Sequence, residues 1–176
     1  MRYNRLATYI VAFALLLTMA GAAAAQDKKE RAERSSQEQD AVEAKDEFGR
    51  TALMRAVERG DIPDLLFLFG QEADVNAKTH SGVTALMNAA GIGRIEILHM
   101  LIEKGADIDA SAEGGYTSLM SAALNGQTHA VMILLEKGAN FKAKDSNGRT
   151  ALSYAIEKGH TDVIQLLEKA EAESNQ

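Results

Sequence analysis

Threonine recurs at one interval of 33 residues, at Thr51, Thr84, Thr117 and Thr150. Each opens the same phrase: T-A-L-M-R-A, T-A-L-M-N-A, T-S-L-M-S-A and T-A-L-S-Y-A. Glycines keep step with it, two residues earlier (Gly49, Gly82, Gly115, Gly148) and nine residues later (Gly60, Gly93, Gly126, Gly159). A period of this length means one supersecondary unit stacked on copies of itself, because a single unit cannot bury its own apolar face. That leaves a layered array as the architecture, and makes a binding surface the first function to consider.

Within one repeat the elements follow from local chemistry. Taking 79–111, Thr84 is placed to cap a short helix with its side-chain oxygen. Leu86, Ala89 and Ala90 share a stripe of that helix, and Gly93 supplies the left-handed residue that ends it. Ile95, Ile97, Leu98, Leu101 and Ile102 form the apolar face of a second helix, which Gly105 ends. An extended finger follows, with a turn at Thr79-His80-Ser81-Gly82 whose glycine takes a positive φ. Alanines at Ala56, Ala89, Ala122 and Ala155 occupy one column, where anything larger would hold neighbouring helix pairs apart. Val42-Glu43-Ala44-Lys45 precedes Val75-Asn76-Ala77-Lys78 by 33 residues. The first finger is therefore expected to begin there. The organisation is then a segment 1–25, a charged linker 26–41, and repeats at 42–78, 79–111, 112–144 and 145–176, the last carrying a C-terminal cap.

These motifs resemble the ankyrin repeat over about residues 42–170. G-x-T-A-L-x-x-A, the glycine after it, G-A-D-I-D-A at 105–110 and G-A-N-F-K-A at 138–143 match the family column by column. The resemblance implies an α fold: an ankyrin-repeat solenoid of four helix-turn-helix units with short β-hairpin fingers, preceded by a signal-peptide helix. Three departures carry structural expectations. Met54, Met87 and Met120 stand where the family has a hydrogen-bonding histidine, and are expected to be buried. Glu72 replaces the glycine of Gly105 and Gly138, which predicts a strained or shortened helix end. Glu168 replaces the apolar Phe69, Ile102 and Leu135, giving the final helix a polar outer face that argues for a monomer over end-to-end stacking.

Residues 1–25 read as an export signal: Arg2 and Arg5 first, an apolar run from Leu6 to Met19, then small residues ending in Ala23-Ala24-Ala25. Gln26 is the expected mature start. The alternative is an uncleaved anchor, because Leu6 to Ala25 gives 20 residues, enough to span a bilayer. A periplasmic location follows from cleavage; inner-membrane anchoring or secretion are the other outcomes. Residues 26–41 are charged in both signs with alanine as the sole apolar type, which predicts a solvated or loosely helical spacer.

Several function classes are disfavoured. The chain holds no cysteine, which removes disulfides, thiolate nucleophiles and cysteine–zinc sites. Its net charge of −6 becomes −8 without Arg2 and Arg5, which disfavours nucleic acid as a partner. His80, His99, His129 and His160 fall in four different columns, so stacking does not gather them into a metal or catalytic site. Neither a glycine-rich phosphate loop nor an H-E-x-x-H pair or G-x-S-x-G elbow is present. The chain is expected to be no enzyme and to need no cofactor.

In the ankyrin family, partners are generally bound on the concave side, by finger tips and the exposed end of the first helix. Carried onto this chain, the outer repeats present Phe48, Arg50 and Arg149. The central repeats present His80, Val83, Ile92, Tyr116, Leu124 and Asn125. An apolar centre within a charged rim is the anatomy of a docking surface. The competing account is that Val83, Ile92, Tyr116 and Leu124 shield the core from its edge. The expected function is a non-catalytic adaptor that binds an unidentified protein, with membrane contact only if the first segment is uncleaved. Alternatives are a factor supporting one exported enzyme, or a tethered or secreted effector acting on host proteins.

Overall fold

The structure is a computed structural model that describes residues 26, 28, 29, 31, 32, 36, 37 and 40–174. The chain divides into two compact units, Met1–Ala41 and Val42–Gln176. In the first, every described residue is helical and exposed. The expected signal segment 1–25 lies outside the described residues. Among the described residues no helix is long and apolar enough to cross a membrane.

Among the described residues the second unit contains eight α-helices in four pairs: α1 (Ala52–Arg59) with α2 (Ile62–Gly70), α3 (Ala85–Ile92) with α4 (Ile95–Glu103), α5 (Ser118–Leu124) with α6 (Thr128–Glu136), and α7 (Ala151–Lys158) with α8 (Thr161–Glu173). Helices α1, α3, α5 and α7 pack side by side as an inner layer, and each outer helix packs on its own inner partner. The period thus becomes four stacked layers with one continuous core running from Val42 to Leu167.

The caps explain why the threonine phrase starts each layer. Thr51, Thr84, Thr117 and Thr150 have extended backbones, and their hydroxyls accept the backbone N–H of Met54, Met87, Met120 and Ser153 at 3.3–3.4 Å. One otherwise unpaired donor of each helix start is thereby satisfied. Ser153 also accepts the Thr150 amide, completing a capping box. Met54, Met87 and Met120 are buried as expected, and all four column alanines are fully enclosed.

One column breaks the pattern. Ala52, Ala85 and Ala151 open their helices, but Ser118 opens α5, and its buried hydroxyl finds no hydrogen-bond partner among the described residues. A desolvated, unpaired hydroxyl costs free energy that alanine avoids. Ser118→Ala is therefore expected to raise stability by about 1 kcal/mol, read as a higher urea midpoint.

The fingers depart from expectation. Among the described residues no strand is formed, and the sole β-bridge joins Ser111 to Thr117. Each finger is instead a tight turn, at 46–50, 79–83, 112–116 and 145–149. Each turn is closed by two backbone bonds at 2.8–3.1 Å: from Asp46, Thr79, Ala112 or Asp145 N–H to the carbonyl of Arg50, Val83, Tyr116 or Arg149, and from Gly49, Gly82, Gly115 or Gly148 N–H back to the carbonyl of Asp46, Thr79, Ala112 or Asp145. Five residues reverse direction and the chain then enters the next helix, so the pairing goes no further than the Ser111–Thr117 bridge and no paired strands develop. Val42 and Glu43 likewise complete a helical turn rather than begin an extended finger. Their column is a turn in the later repeats too, at Val75-Asn76 and Ile108-Asp109.

Successive layers are tied along the fingers at fixed offsets. His80, Glu113 and Ser146 donate their backbone N–H to the carbonyls of Phe48, Ser81 and Gly114. Side-chain oxygens of Glu43, Asn76 and Asp109 accept the amides of Asp74, Asp107 and Asn140 at 2.7–2.8 Å. Asp74, Asp107 and Asn140 each in turn accept the amide two residues on. That recurring polar column is thus occupied in holding the repeats in register.

Glu72 adopts φ 56°, the one positive φ outside glycine among the described residues. The strain anticipated at this helix end is present, but not the shortening: α2 is 9 residues long, as are α4 and α6. At the far end Glu168 is exposed, yet both end layers also leave apolar groups in solvent. Phe67 is 64 % exposed, whereas Ile133 in its column is 6 % exposed against the preceding layer. Ile156, on α7, is 58 % exposed for the converse reason, because its column packs toward the following layer.

Candidate functional site

The surface formed by the four fingers and the C-terminal turns of the inner helices carries all nine residues expected to bind a partner. At one edge, Asp46 organises finger 1. Its carboxylate accepts the amides of Phe48 and Arg50 and pairs with the Arg50 guanidinium at 2.9 Å. Arg50 also reaches Glu58 at 3.1 Å and lies over the exposed Phe48 ring, 5.1 Å from its centroid. His80 packs against Gly49, where no side chain would fit.

The opposite edge repeats this arrangement. Asp145 accepts the amides of Asn147 and Arg149 at 2.8 Å, the Arg149 guanidinium at 2.9–3.0 Å and the Tyr154 hydroxyl at 2.7 Å. Arg149 also lies over the Tyr154 ring, 4.4 Å from its centroid, and approaches Glu157 at 3.6 Å. The Tyr154 ring meets Tyr116 edge to face, with centroids 5.6 Å apart. Val83, Tyr116 and Arg149 thereby line one cavity of about 310 Å³, together with residues of fingers 2, 3 and 4.

Ile92, Leu124 and Asn125 do not line that cavity. They sit at the ends of α3 and α5, with Ile92 47 % exposed and Leu124 half-buried against the core. The Leu124 carbonyl is within 3.1 Å of His160 Nε2, and Asn125 donates to the Ser121 carbonyl at 2.9 Å. Gly91 lets Ser121 of α5 come close to α3, since a β-carbon there would collide with its hydroxyl.

Sequence reasoning missed Asp145 and Tyr154, which fix the Arg149 edge. The signal was available: both outer fingers read D-x-x-G-R-T, at 46–51 and 145–150, whereas the inner fingers lack aspartate and arginine. Aspartate three residues before the turn glycine can accept two amides of that turn and hold the arginine that follows.

The electrostatics match this geometry. Burial alone would raise the Asp145 carboxyl. The Arg149 amide, the Tyr154 hydroxyl, the Arg149 guanidinium and the Asn147 amide outweigh it and hold the group well below the usual carboxylate range. Tyr154 is pushed up to about 12 by burial and by the bond it donates to Asp145. A carboxyl with a lowered folded-state pKa stabilises the fold above its unfolded value of about 4 and loses that contribution as pH falls. The urea midpoint is therefore expected to drop more steeply below about pH 4 in the native chain than in Asp145→Asn. Tyr154 acts at the other end: neutral tyrosine is favoured, so stability declines between about pH 10 and pH 12 as the unfolded chain ionises first.

No group of three or more metal-ligating side chains occurs among the described residues. The surface offers shape, apolar area and fixed hydrogen-bonding groups. A family model described as ankyrin repeats (3 copies) matches residues 21–112 and 108–176. A comparison with curated proteins finds no match.

Proposed function

The chain belongs to the ankyrin-repeat family, whose members are generally non-catalytic protein-interaction modules, and from that membership we propose that it is an exported adaptor. In this reading its finger side docks one protein in the periplasm. The observation that carries it is the ordering of this surface: the half-buried and exposed apolar residues Val83, Ile92, Tyr116 and Leu124 lie between two arginine–carboxylate clusters at Arg50 and Arg149. The charged edges are tied to their own chain by several bonds each, so little side-chain entropy remains to be lost when a partner arrives. Export is supported by the order of residue types in 1–25.

Two measurements test the proposal. Mass spectrometry of the protein recovered from its own cells reads the mature N-terminus, expected at Gln26; an intact Met1 defeats the cleaved, freely periplasmic form. Photo-crosslinking from position 92, compared with position 66 on the outer helix layer, reads the docking face. One dominant adduct from position 92 that is absent from position 66 is the expected result. Equal adducts from both positions would overturn the assignment of the finger side.

A further inference from the structure

Granted that the finger side is the docking surface, its cavity specifies the chemistry presented by the partner. We infer that the cavity between fingers 2, 3 and 4 receives a basic side chain, arginine or lysine, projecting from the docked protein.

The cavity exists because finger 3 is trimmed. Ala112 and Gly114 stand in the columns that hold Asp46 and Asp145, and Phe48 and Asn147, in the outer fingers. Val83 likewise replaces the arginines Arg50 and Arg149. Gly114 and Gly115 both take positive φ, 72° and 77°, bending the finger tip in a way side-chain-bearing residues resist. The resulting space of about 310 Å³ has Val83 and Tyr116 among its walls. Its size suits one long side chain, and its apolar walls suit an aliphatic stem.

Three charged groups border this space: Glu113, Asp145 and Arg149. Asp145 and Arg149 neutralise each other at 2.9 Å, and Arg149 is further engaged by Tyr154 and Glu157. Glu113 is exposed, and its carboxylate has no ion pair or hydrogen bond among the described residues. Among the lining residues Glu113 is therefore the one charged group without a counter-charge, and Tyr116 lines the same cavity. A cationic tip on an apolar stem satisfies both features, meeting the carboxylate at the mouth and the Tyr116 ring along the wall. An apolar side chain would leave Glu113 desolvated without a counter-charge, and an acidic one would face it directly. Arg149 is already held by Asp145 and Tyr154 and faces Glu157, so an incoming acid would meet carboxylates beside it.

The test uses isotope-labelled protein produced from the full-length chain, with amide NMR shifts as readout and three capped tripeptides, glycine–X–glycine with X arginine, leucine or glutamate, as probes. The arginine peptide is expected to give saturable shifts at Ser81, Glu113, Gly114 and Tyr116 that the other two do not. Glu113→Gln, at an exposed position, should weaken that binding about fivefold. Shifts of equal size with the leucine or glutamate peptide, no saturable shift up to about 10 mM arginine peptide, or unchanged binding by Glu113→Gln would each overturn the inference. Failure here combined with position-92 crosslinking as expected would remove the basic anchor and leave the docking surface standing. Success here with crosslinking equal on both faces would do the reverse.

Discussion

Ala89→Leu is expected to destabilise the array by about 1–3 kcal/mol through overpacking, seen as a lower urea midpoint. Ala89 lies in α3, which packs against α1 on one side and α5 on the other, and its side chain is fully enclosed. Both neighbours carry their own alanine in the same column, Ala56 and Ala122, so the three helices are spaced for small side chains along it. Three added carbon atoms must therefore push adjacent layers away from each other or force off-rotamer side chains. The effect should be larger at Ala89 than at Ala155, because the α7 layer is packed on one side only and can yield toward solvent. Equal losses at the two positions would mean that clearance between layers is not what the small residues provide. The comparison also reports on cooperativity, because a broadened transition for Ala89→Leu would show the layers on either side unfolding separately.

The fold was legible in the sequence wherever a physical constraint repeats. The threonine caps, the enclosed alanines and the buried methionines are each set by a local requirement that recurs from layer to layer, so the copies speak for each other. The fingers were less legible for the same reason in reverse. Their residues are those of turns, and whether flanking residues pair as strands depends on how soon the chain turns back into the next helix, which periodicity does not reveal. The ends were legible only to a degree. Glu168 announces a polar face, but Phe67 and Ile156 follow their columns in type while lacking the neighbouring layer that covers those columns elsewhere.

The candidate site divides similarly. Its apolar centre could be read by carrying columns across repeats, since Val83, Ile92, Tyr116 and Leu124 differ from their charged or polar counterparts. The Asp145–Arg149–Tyr154 group could not be assembled by that route alone. Tyr154 belongs to the column of Arg55, Asn88 and Ser121, which shows no common chemistry. Stacking of the fourth repeat on the third brings its ring to Tyr116, while the turn into α7 within its own repeat brings its hydroxyl to Asp145. What the outer fingers did display was the shared D-x-x-G-R-T phrase, a local motif whose meaning is a braced turn rather than a free arginine.

That bracing shapes what mutation of the docking surface should do. Tyr116→Ala and Leu124→Asp are each expected to weaken capture of the crosslinked partner by about 2 kcal/mol or more, a factor of about 30. The two do not act alike. Tyr116 leans on Tyr154, so removing its ring also loosens the Asp145–Arg149 edge and should lower stability. Leu124 is half-buried against the core, and a carboxylate there disturbs packing as well. Ile92 separates binding from folding, because it is 47 % exposed and outside the main core cluster. Ile92→Asp is expected to leave the urea midpoint nearly unchanged while cutting partner affinity at least tenfold, about 1.4 kcal/mol. If instead Ile92→Asp binds normally, and the losses for Tyr116→Ala and Leu124→Asp merely track their losses in stability, these apolar residues are a shield over the core edge. An unchanged fold with lost binding has no such explanation, because an exposed isoleucine outside the core cluster then matters only to something that covers it.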